Sequence, residues 1–195
     1  MEEPHELNIF SYKQSIKGGC GPSCLLMCLH YFKKIPFLSQ LEKEIWADST
    51  FGIINSTCNL GLAIAGFKRG LKVEVFQEFQ IPKCFDNNLL DEKSAKLRNK
   101  FLEFEKKIKE MNIPINYGPF GFDLLKENID LGKPIILLIK EENSYHFILV
   151  IGYTNEGIIY IDPSSGEKRK CNYNELQNKF SLPDGRTAIV VQDGI

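Results

Sequence analysis

A chain of 195 residues with 43% hydrophobic side chains can fill the core of one domain and leaves little room for a second. Its 24 basic and 25 acidic side chains leave a formal charge of −1, so nothing in the overall balance draws it to nucleic acid or to an anionic membrane. The N-terminus, MEEPHELNIF, has acids and a proline where a secretory signal needs basic residues before an apolar run, and the longest apolar runs, such as 135–139 and 147–151, fall far short of the ~20 residues that span a bilayer. A soluble, cytoplasmic protein is expected.

In chain order, CGPSCLLMCLHYFK over 20–33 has apolar side chains at helical spacing, a proline near its start and a lysine at its end, and reads as a central helix. Helices are also expected over Leu38–Ala47 and over Cys58–Lys68, the latter stopping at Gly70. Leu71–Phe79 alternates as a strand. Asp91–Met111 is densely charged, with Leu97, Phe101, Leu102, Phe104 and Ile108 at rough helical period, as in an amphipathic surface helix. Pro114–Gly121 reads as a connector and Phe122–Asp130 as a short helix. Pro134–Lys140, His146–Tyr153, Gly157–Asp162 and Thr187–Gln192 read as strands, with a turn at 154–156 and a helix over Tyr173–Phe180. Helices come first and strands second. That order predicts one α+β domain over 1–195, in which a mostly antiparallel sheet packs on the first helix. The charged stretch at about 82–117 reads as a helical insert within it.

The six cysteines are 20, 24, 28, 58, 84 and 171. Without a signal peptide they are expected to be reduced. The spacing of the first three is unlike the paired clusters of structural zinc sites, with only His30 nearby as a further ligand, so no metal is expected and Cys24 and Cys28 read as core residues. Cys20 is different. It follows Gly18 and Gly19 at the start of a helix, where unpaired backbone N–H groups and the helix dipole favour a thiolate. The same groups can hold the oxyanion formed when a carbonyl is attacked, and Gln14 can add a side-chain N–H.

A cysteine at a helix start also occurs in plain turns, so the weight comes from the rest of the chain. Of the three histidines, His5 lies in a terminus expected to be loose, and His30 is about 15 Å along the helix from Cys20 at 1.5 Å per residue. His146 opens a strand, where its imidazole can point into a cleft. Asp162 closes the next strand and could orient His146, although it would also suit a turn before Pro163. The two share a face only if paired positions on their hairpin sum to an even number, and the turn does not decide that register.

Gln14 six residues before the CGPSC helix start, followed by YHFILVIGY and IYIDPSSG in that order, resembles the bacteriocin-processing double-glycine leader peptidases, within the papain-like superfamily, and their stand-alone relatives. The resemblance spans most of the chain. It implies a papain-like fold, a Cys20–His146–Asp162 triad with Gln14 at the oxyanion, and cleavage of peptide or isopeptide bonds through a thioester, after small residues and without a cofactor. The partner it implies is a peptide or protein substrate. Leader-processing members usually adjoin a transporter, for which this sequence has no counterpart, so the particular substrate is not implied. The layout is also similar to a eukaryotic guanylyl cyclase-like domain. Cyclase chemistry is not expected, because neither paired carboxylates nor a phosphate-binding loop stands out. The other readings on the same residues are a transglutaminase-like acyl transferase and a peptide-binding pseudo-enzyme without chemistry.

Overall fold

The apolar stripe at 20–33 becomes helix α1 (Cys20–Lys33), and in the computed structural model, which describes residues 4–83, 91–141, 144–182 and 185–194, it is buried from Gly21 to Leu29. A helix apolar on every side must sit inside, and α1 packs between a sheet and the neighbouring helices α2 (Ser39–Ser49) and α3 (Asn59–Lys68). It stops at Lys34, whose left-handed backbone (φ 56°) lets its N–H reach the His30 carbonyl at 3.0 Å. The amphipathic segment is α4 (Glu92–Glu110). Asp91 caps it by accepting from the Ser94 N–H at 2.7 Å, and Phe101, Phe104 and Ile108 face inward. Two shorter helices follow, α5 (Phe122–Asp130) and α6 (Tyr173–Phe180).

Among the described residues the strands are β1 (His5–Glu6), β2 (Leu71–Gln77), β3 (Ile115–Tyr117), β4 (Ile135–Glu141), β5 (Ser144–Tyr153), β6 (Gly157–Asp162), β7 (Glu167–Asn172) and β8 (Thr187–Asp193). They join in one sheet of order β3-β2-β8-β4-β5-β6-β7, with β1 on β5, and every pairing is antiparallel except β2 with β3. The expected α+β class and mostly antiparallel sheet on α1 are what is found. Ile136, Phe147, Leu149 and Ile161 join the core formed with α1, α3 and α4, whereas Ile135, Leu137, Ile148 and Val150 join a second core with α5 and α6. The unbroken apolar runs of β4 and β5 are therefore strands covered on both faces.

Three strands depart from expectation. The N-terminus is not loose at His5: β1 pairs with β5, and His5 stacks on Tyr153 and meets Asp130 at 2.9 Å. Residues 115–117, expected as connector, add a short parallel strand beside β2. β7 has the sequence EKRKCN, charged as an edge strand is and without the alternation that marks a half-buried one. The insert expected at about 82–117 includes residues 84–90, which lie outside the described residues, as does Cys84.

The β5–β6 hairpin carries the geometry that matters most. Near its turn Tyr153 pairs with Ile158 and Gly152 with Ile159, so paired positions sum to an odd number. Continued unchanged, that register would put His146 and Asp162 on opposite faces. A bulge at Ile151 absorbs one residue, and Val150 then pairs with Tyr160 and Leu149 with Ile161. The sum is now even, and the two side chains share a face.

Candidate active site

Cys20 is the first residue of α1, and the turn before it is held by backbone contacts. Gly18 has φ +75°, which a side chain would strain, and the Gly19 N–H donates to the Ile16 carbonyl at 3.1 Å. That carbonyl also accepts from Gln14 Nε2 at 3.2 Å. One amide hydrogen of Gln14 is thereby used and the other is left for a further acceptor. The Gln14 backbone N–H donates to the Pro163 carbonyl at 2.7 Å, tying this segment to the residue after Asp162. Cys20 is half-buried, in contrast to Cys24 and Cys28, which are fully enclosed as expected of core residues.

His146 is 8% exposed and Asp162 3%. The imidazole Nε2 lies 2.9 Å from Asp162 Oδ1. That contact sets Nε2–H as donor to the carboxylate and leaves Nδ1 to serve Cys20. Burial works against a charged imidazole, but the hydrogen bond and charge of Cys20, the hydrogen bond to Asp162 and the charge of Glu141 outweigh it and push His146 up to about 9. Asp162 is held below the usual carboxylate range. Burial opposes this, and the Ser164 hydroxyl, His146 and the Ser164 N–H more than offset it. Ser164 Oγ donates to Asp162 Oδ1 at 2.6 Å, and Arg169 Nη1 reaches Oδ2 at 2.8 Å.

Cys20, His146 and Asp162 thus meet, Gln14 is tied to them through the Ile16 and Pro163 carbonyls, and His30 stands apart, its Nδ1 2.8 Å from the Ile35 carbonyl and its ring stacked on Phe37. Sequence reading missed Arg169, because β7 was not recognised, and it missed Glu42, a buried carboxylate beneath the Gln14 segment. Within SQLEKEIWADS Glu42 reads as one of several solvated charges, and no local signal separates it from Glu44. Ligating atoms of Glu141, His146 and Asp162 lie within 4.8 Å of one another, and His146 Nε2 and Asp162 Oδ1 are already bonded to each other.

A cavity of about 320 Å³, walled by Phe51, Leu97, Phe101, Tyr145 and Phe147, meets the start of α1 through Phe147, which packs on Gly21. Phe147 and Tyr145 flank His146 in β5, and Leu97 and Phe101 come from α4. Thr57 also lines it, and its hydroxyl is buried without a hydrogen-bond partner.

A family model described as the Peptidase_C39 like family matches residues 9–183. The chain belongs to that family. Solved structures share the fold of this C39-like chain at low identity. A Bacillus anthracis protein described as a C39-like peptidase superposes at TM-score 0.57 with 12% identity, covering 100% of both chains. A double glycine motif protease from an AMS/PCAT transporter, solved with its leader peptide, gives 0.56 with 17% identity over 99% of each chain. The peptidase domain of Streptococcus ComA gives 0.53 with 16% identity over 97% of this chain and 98% of that one. No curated protein matches in sequence. Among the described residues no helix is long and apolar enough to cross a membrane.

Proposed function

We propose that this C39-like chain is a cysteine peptidase that hydrolyses a peptide or isopeptide bond. The observation that carries the reading is His146, bonded through Nε2 to a buried carboxylate on one side and drawn to the charge of Cys20 on the other. The Cys20 thiolate attacks the carbonyl carbon, and the carbonyl electron pair moves to oxygen, where the Cys20 backbone N–H and the free Gln14 N–H stabilise it. The intermediate collapses to a thioester as His146 gives its proton to the leaving amine. Water then attacks the thioester, His146 takes a proton from it, and the acid product leaves with Cys20 again a thiolate.

A peptide occupant is supported by the fold neighbour solved with a leader peptide and by the apolar cavity whose wall residues Thr57 and Phe147 pack on Gly21, next to Cys20, and which can take side chains of an extended segment. One fold neighbour is described as a double glycine motif protease, so a peptide ending in Gly-Gly joined to a fluorescent amine should be a better substrate than one ending in Arg or Phe. Preference for the bulky peptides would overturn that specificity. Brief iodoacetamide treatment at pH 6 followed by peptide mass mapping tests the nucleophile itself. Cys20 should label first, because burial pushes Cys58 up to about 12 and Cys171 up to about 11 and holds Cys24 and Cys28 well above the ordinary thiol range. Even labelling of several cysteines would favour a binding protein without chemistry.

A further inference from the structure

One buried carboxylate fastens both the segment that carries Gln14 and the helix that carries Cys20. Glu42, in α2, has no exposed surface. It accepts from the Ser15 N–H at 3.1 and 3.0 Å and from the Ser15 hydroxyl, from Ser23 Oγ at 2.9 Å, and from the Tyr12 hydroxyl at 3.0 Å. None of these partners is a cation. A buried carboxylate is costly unless hydrogen bonds replace its water, and here four donors from two segments do so.

The donors are not spread over the fold. Ser15 adjoins Gln14, Ser23 lies in the first turn of the helix that Cys20 begins, and Gly19 packs so closely that a Cβ there would sit 2.5 Å from Glu42 Oε1. The contacts therefore bracket the place where an oxyanion would form. We propose that Glu42 is a positioning residue, holding the Gln14 amide at a set distance from the first turn of α1. This rests on the peptidase reading above. Donors aimed at a developing charge lose effect steeply when displaced, and a misplacement of about 1 Å costs on the order of 10²-fold in rate. Among the described residues Gln14 makes one side-chain hydrogen bond, to Ile16, so its place depends on the backbone beneath it, which Glu42 grips at Ser15.

Glu42→Gln separates positioning from plain scaffolding, because it keeps the volume but offers an N–H toward donors that need an acceptor. Two probes of Cys20 report on it. Iodoacetamide needs the thiolate but builds no oxyanion. A peptide ending in Gly-glycinal does build one: the sulfur adds to the aldehyde carbon and the carbonyl electron pair becomes the oxygen anion that Gln14 would bind. The variant should be alkylated within about threefold of the wild-type rate yet bind the aldehyde about tenfold or more weakly, with kcat reduced and KM little changed. Ser15→Ala, which keeps the backbone N–H, should fold in any case and shift aldehyde binding the same way by a smaller factor. Unweakened aldehyde binding, or alkylation and melting temperature falling in step with it, would overturn the positioning role. A wild-type protein that is alkylated at Cys20 but binds no aldehyde would instead overturn the peptidase reading, and the positioning role with it.

Discussion

The two halves of the site are held by different physics. The helix half, with Gln14 and Cys20, rests on polar contacts in which side chains take part: Gln14 on the Ile16 carbonyl, and the buried Glu42 with its ring of donors. The strand half, with His146 and Asp162, rests on backbone register within a sheet whose central strands are apolar on both faces. A network of buried hydrogen bonds is sensitive to every member, because the group left behind stays unsatisfied. A ladder tolerates side-chain changes but not a change of register. Substitutions on the helix half should therefore disturb geometry at a distance, whereas those on the strand half should act only through the group removed.

The largest effect should come from the reacting groups. Cys20→Ala and His146→Ala should each lower kcat/KM on a fluorogenic peptide by about 10⁴-fold or more with the fold retained, as read by circular dichroism. His146→Ala should also abolish the selective alkylation of Cys20, and His30→Ala should leave it intact. If the His30 variant loses selectivity instead, the assignment of the base is wrong.

Next come the supporting groups, one from each half. Gln14→Ala should cost about 10²-fold in kcat while Cys20 alkylation stays as it is. Asp162→Ala should cost on the order of 10²-fold or more, and Asp162→Asn less, since an amide oxygen still accepts from the imidazole. Equal activity of wild type and Asp162→Ala would remove Asp162 from the site.

A pH titration sharpens the contrast. His146 is raised from an ordinary 6.5 to about 9, so its charged form is the one the fold favours. Its stabilising contribution is fully present below about pH 6.5 and is lost as pH rises through about 9. Melting temperatures from pH 6 to 9.5 should thus fall in the wild type relative to His146→Ala, and kcat/KM should decline on the alkaline side near 9. Parallel melting curves would contradict the pairing with Cys20. The smallest effect belongs to Arg169, whose side chain is 43% exposed although it meets Asp162 at 2.8 Å. An ion pair open to solvent on one side contributes little, so Arg169→Ala should lower kcat by less than about tenfold and stability by less than about 1 kcal/mol.

Much of the molecule was legible in the chain itself, because its signals are local. Two glycines, a cysteine and a proline mark a helix start; the even apolar coverage of 20–29 marks a helix that must be buried; the runs at 135–139 and 147–151 mark interior strands. Cys20, Gln14, His146 and Asp162 could be named for that reason. What the tertiary structure alone decided lies in pairings across long stretches of chain. The bulge at Ile151, which turns His146 and Asp162 to one face, lies inside β5, away from the turn that begins the hairpin, and nothing in the turn sequence announces it. β7 and its Arg169 became a strand only because the edge of β6 was there to pair with. Glu42 looks like any surface acid in its helix until α2 is laid against α1 and water is excluded; then the hydroxyls of Tyr12, Ser15 and Ser23 become its solvent. Spacing along a chain encodes which face of an element is apolar, but register and buried polar partnership depend on which distant residues meet.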